Sequence, residues 1–269
     1  MLDAEARLLD LLGRAMTGRP HAAGPGVGLA ARSWPPGTLL HELHPAGRLA
    51  LMRFGAGRRF QAGETLIVAG DPPGDVFVLQ DGWVKAVGSA VDGRAVLLSL
   101  RTTGDVVGEM AALDGGPRSA SVVAATGVAA FVVARDRFLA IVNSDPAAAM
   151  AVSRCVTAKM RLVTRHRIDV TGAPVLQRLA RVLVYLAESY ATECAEGLRI
   201  GAPLSRADLA ALIGVAEPSL YRALAYLRDQ EVLTTNGQMQ IVRDLTALDM
   251  ISRGTGTAAD GRSDESGRA

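Results

Sequence analysis

Lysine is almost missing from this chain of 269 residues: Lys85 and Lys159 are the only two, and the rest of the positive charge is arginine. With so much Ala and Gly, this looks like the bias of a G+C-rich genome rather than a functional signal. Aromatics are scarce as well, at 4%, so a core drawn from the 49% of hydrophobic residues must be Val, Leu, Ala and Ile. Cysteine is limited to Cys155 and Cys194, far apart, which excludes a disulfide scaffold, a structural zinc site and a four-cysteine cluster. Such cysteine usage fits a reducing cytoplasm. Charge of one sign is also lacking: a net +2 is too small to argue for nucleic acid by itself. No apolar run reaches about 18 residues, so no membrane-spanning helix and no membrane partner is expected. The opening Met1-Leu2-Asp3-Ala4-Glu5 is acidic and unlike a signal peptide. The four histidines, His21, His41, His44 and His166, do not converge by sequence. With no nucleophile–base pair and no metal cluster, neither an enzyme nor a metal is expected.

Taken in order, Leu2, Leu8, Leu9, Leu11, Leu12 and Met16 predict a short amphipathic helix, and Thr17 to Pro36 reads as a Gly/Pro/Ala linker. From about residue 48, short apolar runs alternate with glycine: 65–68, 76–79, 83–87, 95–100, 121–124 and 128–133. Asp81-Gly82 and Asp92-Gly93 give hairpin turns. Many short strands at this spacing predict a sandwich or jelly-roll barrel. A short helix over 136–142 follows. Asp145-Pro146 then opens a long helix to about Asp169, on which Val152, Val156, Met160 and Val163 recur as a coiled-coil-type seam, read as a dimer contact. Val170 to Pro174 reads as a hinge, and 175–190 as an amphipathic helix. The resulting division is 1–47 for helix and linker, 48–144 for the barrel, 145–170 for the dimerisation helix, 171–250 for a second domain and 251–269 for a disordered tail.

One stretch breaks the strand rhythm: Val107-Gly108-Glu109-Met110-Ala111-Ala112-Leu113-Asp114-Gly115-Gly116-Pro117-Arg118-Ser119-Ala120-Ser121-Val122. Gly108 lets backbone approach a ligand, and the turn at 109–113 offers free N–H groups suited to an anion. Arg118 can grip phosphate oxygens with two parallel hydrogen bonds, and Ser119 adds a hydroxyl and an N–H. Beside an anion site, the acid Glu109 makes sense if it binds a sugar hydroxyl or pairs with a cation. An anion together with a ribose hydroxyl suggests a nucleotide.

The second informative stretch is 204–224, a helix, a tight turn at Gly214 and a helix entered through Pro218. Ser205 with Asp208 three residues on makes a capping pair. Leu220, Leu224 and Leu227 share a core face, leaving Ser219, Arg222, Tyr226 and Asp229 outside. A hairpin over Asn236-Gly237 follows, so the pattern is a winged helix-turn-helix.

A barrel with an inserted phosphate turn, a long helix, a hinge and a winged helix-turn-helix together resemble the Crp/Fnr superfamily of bacterial regulators, in its cyclic-AMP receptor branch, over about residues 48–245. The resemblance implies an α+β fold: an N-terminal cyclic-nucleotide-binding β jelly-roll barrel, a long dimerisation helix and a C-terminal winged helix-turn-helix. It implies cyclic AMP as allosteric ligand, with cyclic GMP still open. Gly108, Glu109, Met110, Arg118, Ser119 and Ala120 would form the binding cassette, with Glu109 on the ribose 2′-OH and Arg118 with Ser119 on the cyclic phosphate. Ala86 and Leu98 would line the purine slot. Lys159 falls where the family has an arginine that pairs with the acid, and Thr164 where a hydroxyl meets the purine. Val163 stands where an adenine-contacting threonine is expected, a departure from the pattern.

On the DNA side the resemblance points to Arg206, Ser219, Tyr221, Arg222 and Arg228, with Arg222 matching the arginine that reads a guanine edge. Glu217 and Pro218 replace two base-reading residues. Glu217 could accept from a cytosine amino group or cap the helix. Over 171–250 nine acidic residues face seven basic ones, so affinity for DNA must depend on few contacts. The partners implied are double-stranded DNA at a palindromic site, a second copy of the chain and RNA polymerase. The scattered cysteines offer nothing for haem or cluster gating. Two rival readings stand beside this one. In the first, the regulator binds DNA without nucleotide control. In the second, a cyclic-nucleotide-binding protein uses its winged domain, acidic on balance, to contact a protein partner.

Overall fold

The computed structural model describes residues 34–89, 95–236 and 239–255. The expected helix at 2–16, the linker up to residue 33, the hairpin apices at Gly93 and Gly237 and the tail from 256 onward lie outside these residues. The chain divides into two compact units that change over within the long helix, near residue 160.

The first unit begins with helices α1 (Leu39–Glu42) and α2 (Pro45–Phe54). Pro45 takes the first helical position of α2, and His44 caps it by accepting the Gly47 N–H through Nδ1 at 3.3 Å. This corrects the sequence reading, which took the residues up to 47 as linker and started the strand region at 48. The physical reason is burial. Trp34, Leu39, Leu40, Leu43 and Leu51 are all nearly inaccessible, and they pack with Phe138, Ala148, Ala151 and Val152 in one cluster. Fully burying a leucine contributes about 1.5–3 kcal/mol, so this segment is part of the core.

Eight strands follow: β1 (Gly55–Phe60), β2 (Thr65–Ile67), β3 (Val76–Asp81), β4 (Trp83–Ser89), β5 (Ala95–Thr102), β6 (Val106–Val107), β7 (Ser121–Ala124) and β8 (Val128–Val133). Helix α3 (Glu109–Asp114) is lodged between β6 and β7. The strands form two sheets, in the orders β1-β8-β3-β6 and β2-β7-β4-β5. Inward residues of both sheets meet in a second cluster, Phe60, Phe77, Leu79 and Val107 from one and Ile67, Val84 and Val122 from the other. Phe60 and Phe77 make an edge contact with ring centroids 6.0 Å apart. Two such packed sheets are the jelly-roll architecture expected.

Helix α4 (Arg135–Ser144) leads through Asp145 into α5 (Pro146–Gly172), 27 residues long. It continues past Val170, so the break read as a hinge from Val170 is confined to Ala173-Pro174. The apolar seam divides along its length. Val152 lies in the core of the first unit and Val156 packs against it, whereas Met160 and Val163 are about half exposed.

The second unit contains α6 (Val175–Tyr190), β9 (Ala191–Cys194), β10 (Gly197–Ile200), α7 (Arg206–Leu212), α8 (Glu217–Asp229), β11 (Leu233–Asn236), β12 (Met239–Val242) and α9 (Leu245–Arg253). The wing is larger than a hairpin, because β11 and β12 continue into β10 and β9 as one four-stranded sheet. Helix α9 is a further addition. It is capped by Asp244, which accepts the Ala247 N–H at 2.9 Å, and it runs to Arg253, past the point where the tail was expected to begin. Helix α7 starts with a full capping box: Ser205 Oγ accepts the Asp208 N–H at 3.1 Å and Asp208 Oδ2 accepts the Ser205 N–H at 2.8 Å. Ser205→Ala is therefore expected to cost about 1 kcal/mol of stability in the second unit, read as a lower urea midpoint with an unchanged slope. An unchanged midpoint would mean the cap contributes nothing.

Candidate nucleotide cradle and recognition helix

The inserted turn is set by two glycines. Gly108 caps α3 in the left-handed region at φ +86°, and Gly115 closes it at φ +73° with its N–H on Ala111 O. The Gly108 carbonyl accepts both the Ala112 N–H, at 3.3 Å, and Nη1 of Arg118, at 2.8 Å. A β-carbon on Gly108 would stand 2.6 Å from that Nη1, so no other residue fits here without displacing the arginine. Nη2 of Arg118 donates to the Asp75 carbonyl at 2.7 Å. Two of five guanidinium N–H groups are thus held by backbone carbonyls. Among the described residues the other three have no acceptor and Arg118 has no ion-pair partner, although it is only 8% exposed. Burial lowers its hold on its proton, while the carboxylates of Asp75, Asp71 and Glu109 act the other way. A buried guanidinium with unused donors fits an anionic ligand, because a charge held from water without a counter-charge is costly.

Glu109 is 3% exposed, and its Oε1 lies 2.9 Å from Lys159 Nζ, which also donates to the Val106 carbonyl at 2.6 Å. Lys159 reaches in from α5, so the acid of the cassette and the long helix are joined by one ion pair. Among the described residues Oε2 of Glu109 has no hydrogen-bond partner, which leaves an acceptor for a hydroxyl. Nearby, burial pushes the Asp105 carboxyl up, against Arg101, Lys159 and the Thr102 N–H, which hold it down. Cys155, buried on the same helix, has its thiol pushed up to about 11 by burial and stays an inert packing group.

Of the cassette expected from the sequence, Gly108, Glu109, Arg118 and Lys159 come together in this bonded cluster. Met110 and Ser119 are exposed and Ala120 is half buried, bordering it in the chain. Ala86 lies on β4 opposite Val122 of β7, and Leu98, 41% exposed, on the neighbouring β5. Val163 and Thr164 are exposed on α5, one turn beyond Lys159 and within the second unit. Sequence reasoning missed the 70–75 loop. Its contribution is backbone: Asp71 O accepts the Arg118 N–H, the Gly70 N–H donates to Arg118 O, both at 2.8 Å, and Asp75 O holds the guanidinium. Only the turn composition Gly70-Asp71-Pro72-Pro73-Gly74 could have flagged it.

In the second unit, α7 and α8 meet across Gly214 at φ +65°. Leu220, Leu224 and Leu227 are buried, as their spacing requires, and Glu217, Tyr221, Arg222 and Arg228 are exposed. Ser219 and Arg206 are half buried, and Arg222 Nη2 donates to Ser219 Oγ at 3.2 Å. Glu217 does not cap α8, contrary to one of its two sequence readings. Ala216 holds the cap position, and the Glu217 side chain instead accepts from the Tyr221 hydroxyl at 3.5 Å. Among the described residues no helix is long and apolar enough to cross a membrane.

Residues 57–145 match the family model of the cyclic nucleotide-binding domain, and residues 177–251 that of the Crp-like helix-turn-helix domain. The chain is 26% identical over 189 residues to the CRP-like cAMP-activated global transcriptional regulator of Mycobacterium tuberculosis, covering 70% of this chain and 84% of that one. It is 24% identical over 216 residues to the cyclic AMP receptor protein of Thermus thermophilus, covering 80% and 97%. Among solved structures, FixK2 from Bradyrhizobium japonicum superposes with a TM-score of 0.65 at 20% identity, over 77% of this chain and 99% of that one. Regulators of this kind are not enzymes. With the two domains matched in this order, the chain belongs to the Crp/Fnr superfamily of DNA-binding transcription regulators and carries a cyclic nucleotide-binding domain.

Proposed function

We propose that this regulator works as a homodimer whose affinity for DNA is set by cyclic AMP. The observation that carries the ligand half is the buried Arg118 with three unused donors, beside a buried acid that keeps one oxygen free. A bound cyclic nucleotide would supply a monoanionic phosphodiester and a ribose 2′-hydroxyl. Arg118, with Ser119, would hold the phosphate, and Glu109, oriented by Lys159 at 2.9 Å, the hydroxyl. Ala86, Leu98, Val163 and Thr164 would border the base. The relatives whose names carry cyclic AMP favour that nucleotide over cyclic GMP.

The dimer half rests on α5, where Met160 at 50% exposed and Val163 at 48% continue the apolar seam beyond the core of the first unit. Because Lys159 belongs to that same helix, occupation of the cradle would bias the helix arrangement that sets the spacing of two copies of α8 on a palindromic site. Arg206, Glu217, Ser219, Tyr221, Arg222 and Arg228 would make the DNA contacts, RNA polymerase being the further partner. A coupling of about 1–3 kcal/mol is enough for such control.

Calorimetry with cyclic AMP and cyclic GMP, paired with DNA-binding anisotropy, tests this reading. Heat from cyclic AMP and a DNA affinity raised about 5- to 150-fold in its presence are expected. No heat from either nucleotide removes the ligand half. Val163, where a base-contacting hydroxyl is expected, favours a second reading in which DNA binding ignores nucleotide. Equal DNA affinity with and without cyclic AMP would select it.

A further inference from the structure

The backbone of the 70–75 loop grips Arg118 at three points: Asp71 O, the Gly70 N–H and Asp75 O. Gly74 is equally close, since a β-carbon there would stand 3.3 Å from Nη2. The loop's carboxylates do something else. The side chains of Asp71 and Asp75 are exposed, and neither reaches ion-pair distance of the guanidinium. Both still act on it across a longer range.

The charges around the cradle are therefore uneven. Arg118, Lys159 and Arg101 are positive; Asp71, Asp75, Glu109 and Asp105 are negative. Lys159 is committed to Glu109 at 2.9 Å and Arg101 acts on Asp105, which leaves Arg118, among the described residues, as the one cation facing an incoming phosphate, with the Asp71 and Asp75 carboxylates acting on it from beyond ion-pair distance. A site with one positive charge can neutralise one negative charge. A cyclic phosphodiester carries a single charge, whereas a phosphomonoester carries about 1.5 to 2 near pH 7. Among the described residues the additional charge would find no second uncommitted cation, and it would be repelled by both carboxylates.

We propose that Asp71 and Asp75 set the charge selectivity of the cradle, admitting phosphodiester monoanions and rejecting phosphomonoester dianions such as 5′-AMP. This rests on the nucleotide reading above and deepens it. The two aspartates are positioning and selectivity residues, not phosphate ligands. Their backbone carbonyls keep Arg118 in place while their side chains tune the field around it.

The test uses the full chain and three probes that compete with a fluorescent cyclic AMP: cyclic AMP, 5′-AMP and the methyl ester of 5′-AMP. The ester is open like 5′-AMP but carries one charge like the cyclic nucleotide, so it separates charge from ring shape. The wild-type protein is expected to bind the methyl ester at least about tenfold more tightly than 5′-AMP at low salt, with the gap narrowing as salt is added. In Asp71→Asn/Asp75→Asn the gap is expected to fall to about twofold, through a gain in 5′-AMP affinity. Asparagine keeps every backbone bond of the loop, and retained binding of cyclic AMP shows that the cradle is still formed. The proposal is overturned if the wild type does not distinguish the two open nucleotides, if the double variant leaves the gap unchanged, or if that variant loses cyclic AMP as well. Failure of the nucleotide reading looks different: the wild type then binds neither cyclic AMP nor cyclic GMP.

Discussion

Arg118→Ala is expected to weaken binding of cyclic AMP by about 100-fold or more and to abolish any nucleotide effect on DNA binding. Two charge-assisted hydrogen bonds to the phosphate would be lost, each contributing about 1.5–3 kcal/mol, from a side chain that is only 8% exposed. Truncation also removes the guanidinium bonds to the carbonyls of Gly108 and Asp75, at 2.8 and 2.7 Å, leaving Gly108 O with only the Ala112 N–H at 3.3 Å. A stability loss of about 1–3 kcal/mol in the barrel should accompany it. Arg118→Lys keeps the charge without the planar fork, so it should recover part of the stability and little of the affinity. Calorimetry on folded protein checks the first effect and urea unfolding the second. Wild-type affinity in Arg118→Ala would show that the phosphate binds elsewhere.

The next largest effect is expected at Gly108. An alanine there must adopt φ near +86°, and its β-carbon would meet Arg118 Nη1 at 2.6 Å, Ile67 Cδ1 at 3.0 Å and the Asp75 carbonyl at 3.1 Å. The arginine tip is the softest of these neighbours, so it is the part that moves. Gly108→Ala should lose about 1–2 kcal/mol of stability from the backbone alone, and at least about tenfold in cyclic AMP affinity from the displaced guanidinium. Gly115→Ala is the matched control: its φ is also positive, at +73°, but its nearest neighbour is the Arg135 tip at 3.6 Å. That variant should lose similar stability and keep its affinity. If both variants lose affinity alike, strain in the turn matters and the position of Arg118 does not.

Much of the fold could be read from the chain because alternation and punctuation carried it. Ser121–Ala124 and Val128–Val133 are largely apolar runs separated by a turn at Thr126-Gly127, and they appear as strands at those residues. Strand β1 escaped because Gly55-Ala56-Gly57-Arg58-Arg59-Phe60 buries only Phe60 and so shows no alternation. The helices at 39–54 escaped because the glycines and prolines just before them suggested linker, while the deciding information, leucines meeting Phe138 and the long helix, is long-range. Hairpin β9–β10 buries only Ile200 among its strand residues, and nothing local announces that β10 will pair with β12. In the cradle, side-chain chemistry was legible at Glu109, Arg118 and Lys159. The carbonyls that hold the arginine were not, because every residue has one.

The near absence of lysine has a practical side. Lys159 bonds Glu109, and its only counterpart in the chain is Lys85, half buried on strand β4. Isotope placed on lysine alone would therefore give a magnetic resonance spectrum of two side-chain signals, one of them belonging to the amine that joins the cassette to the long helix. Protein chemists usually have to engineer so sparse a reporter, and here it lies at the junction whose state matters most.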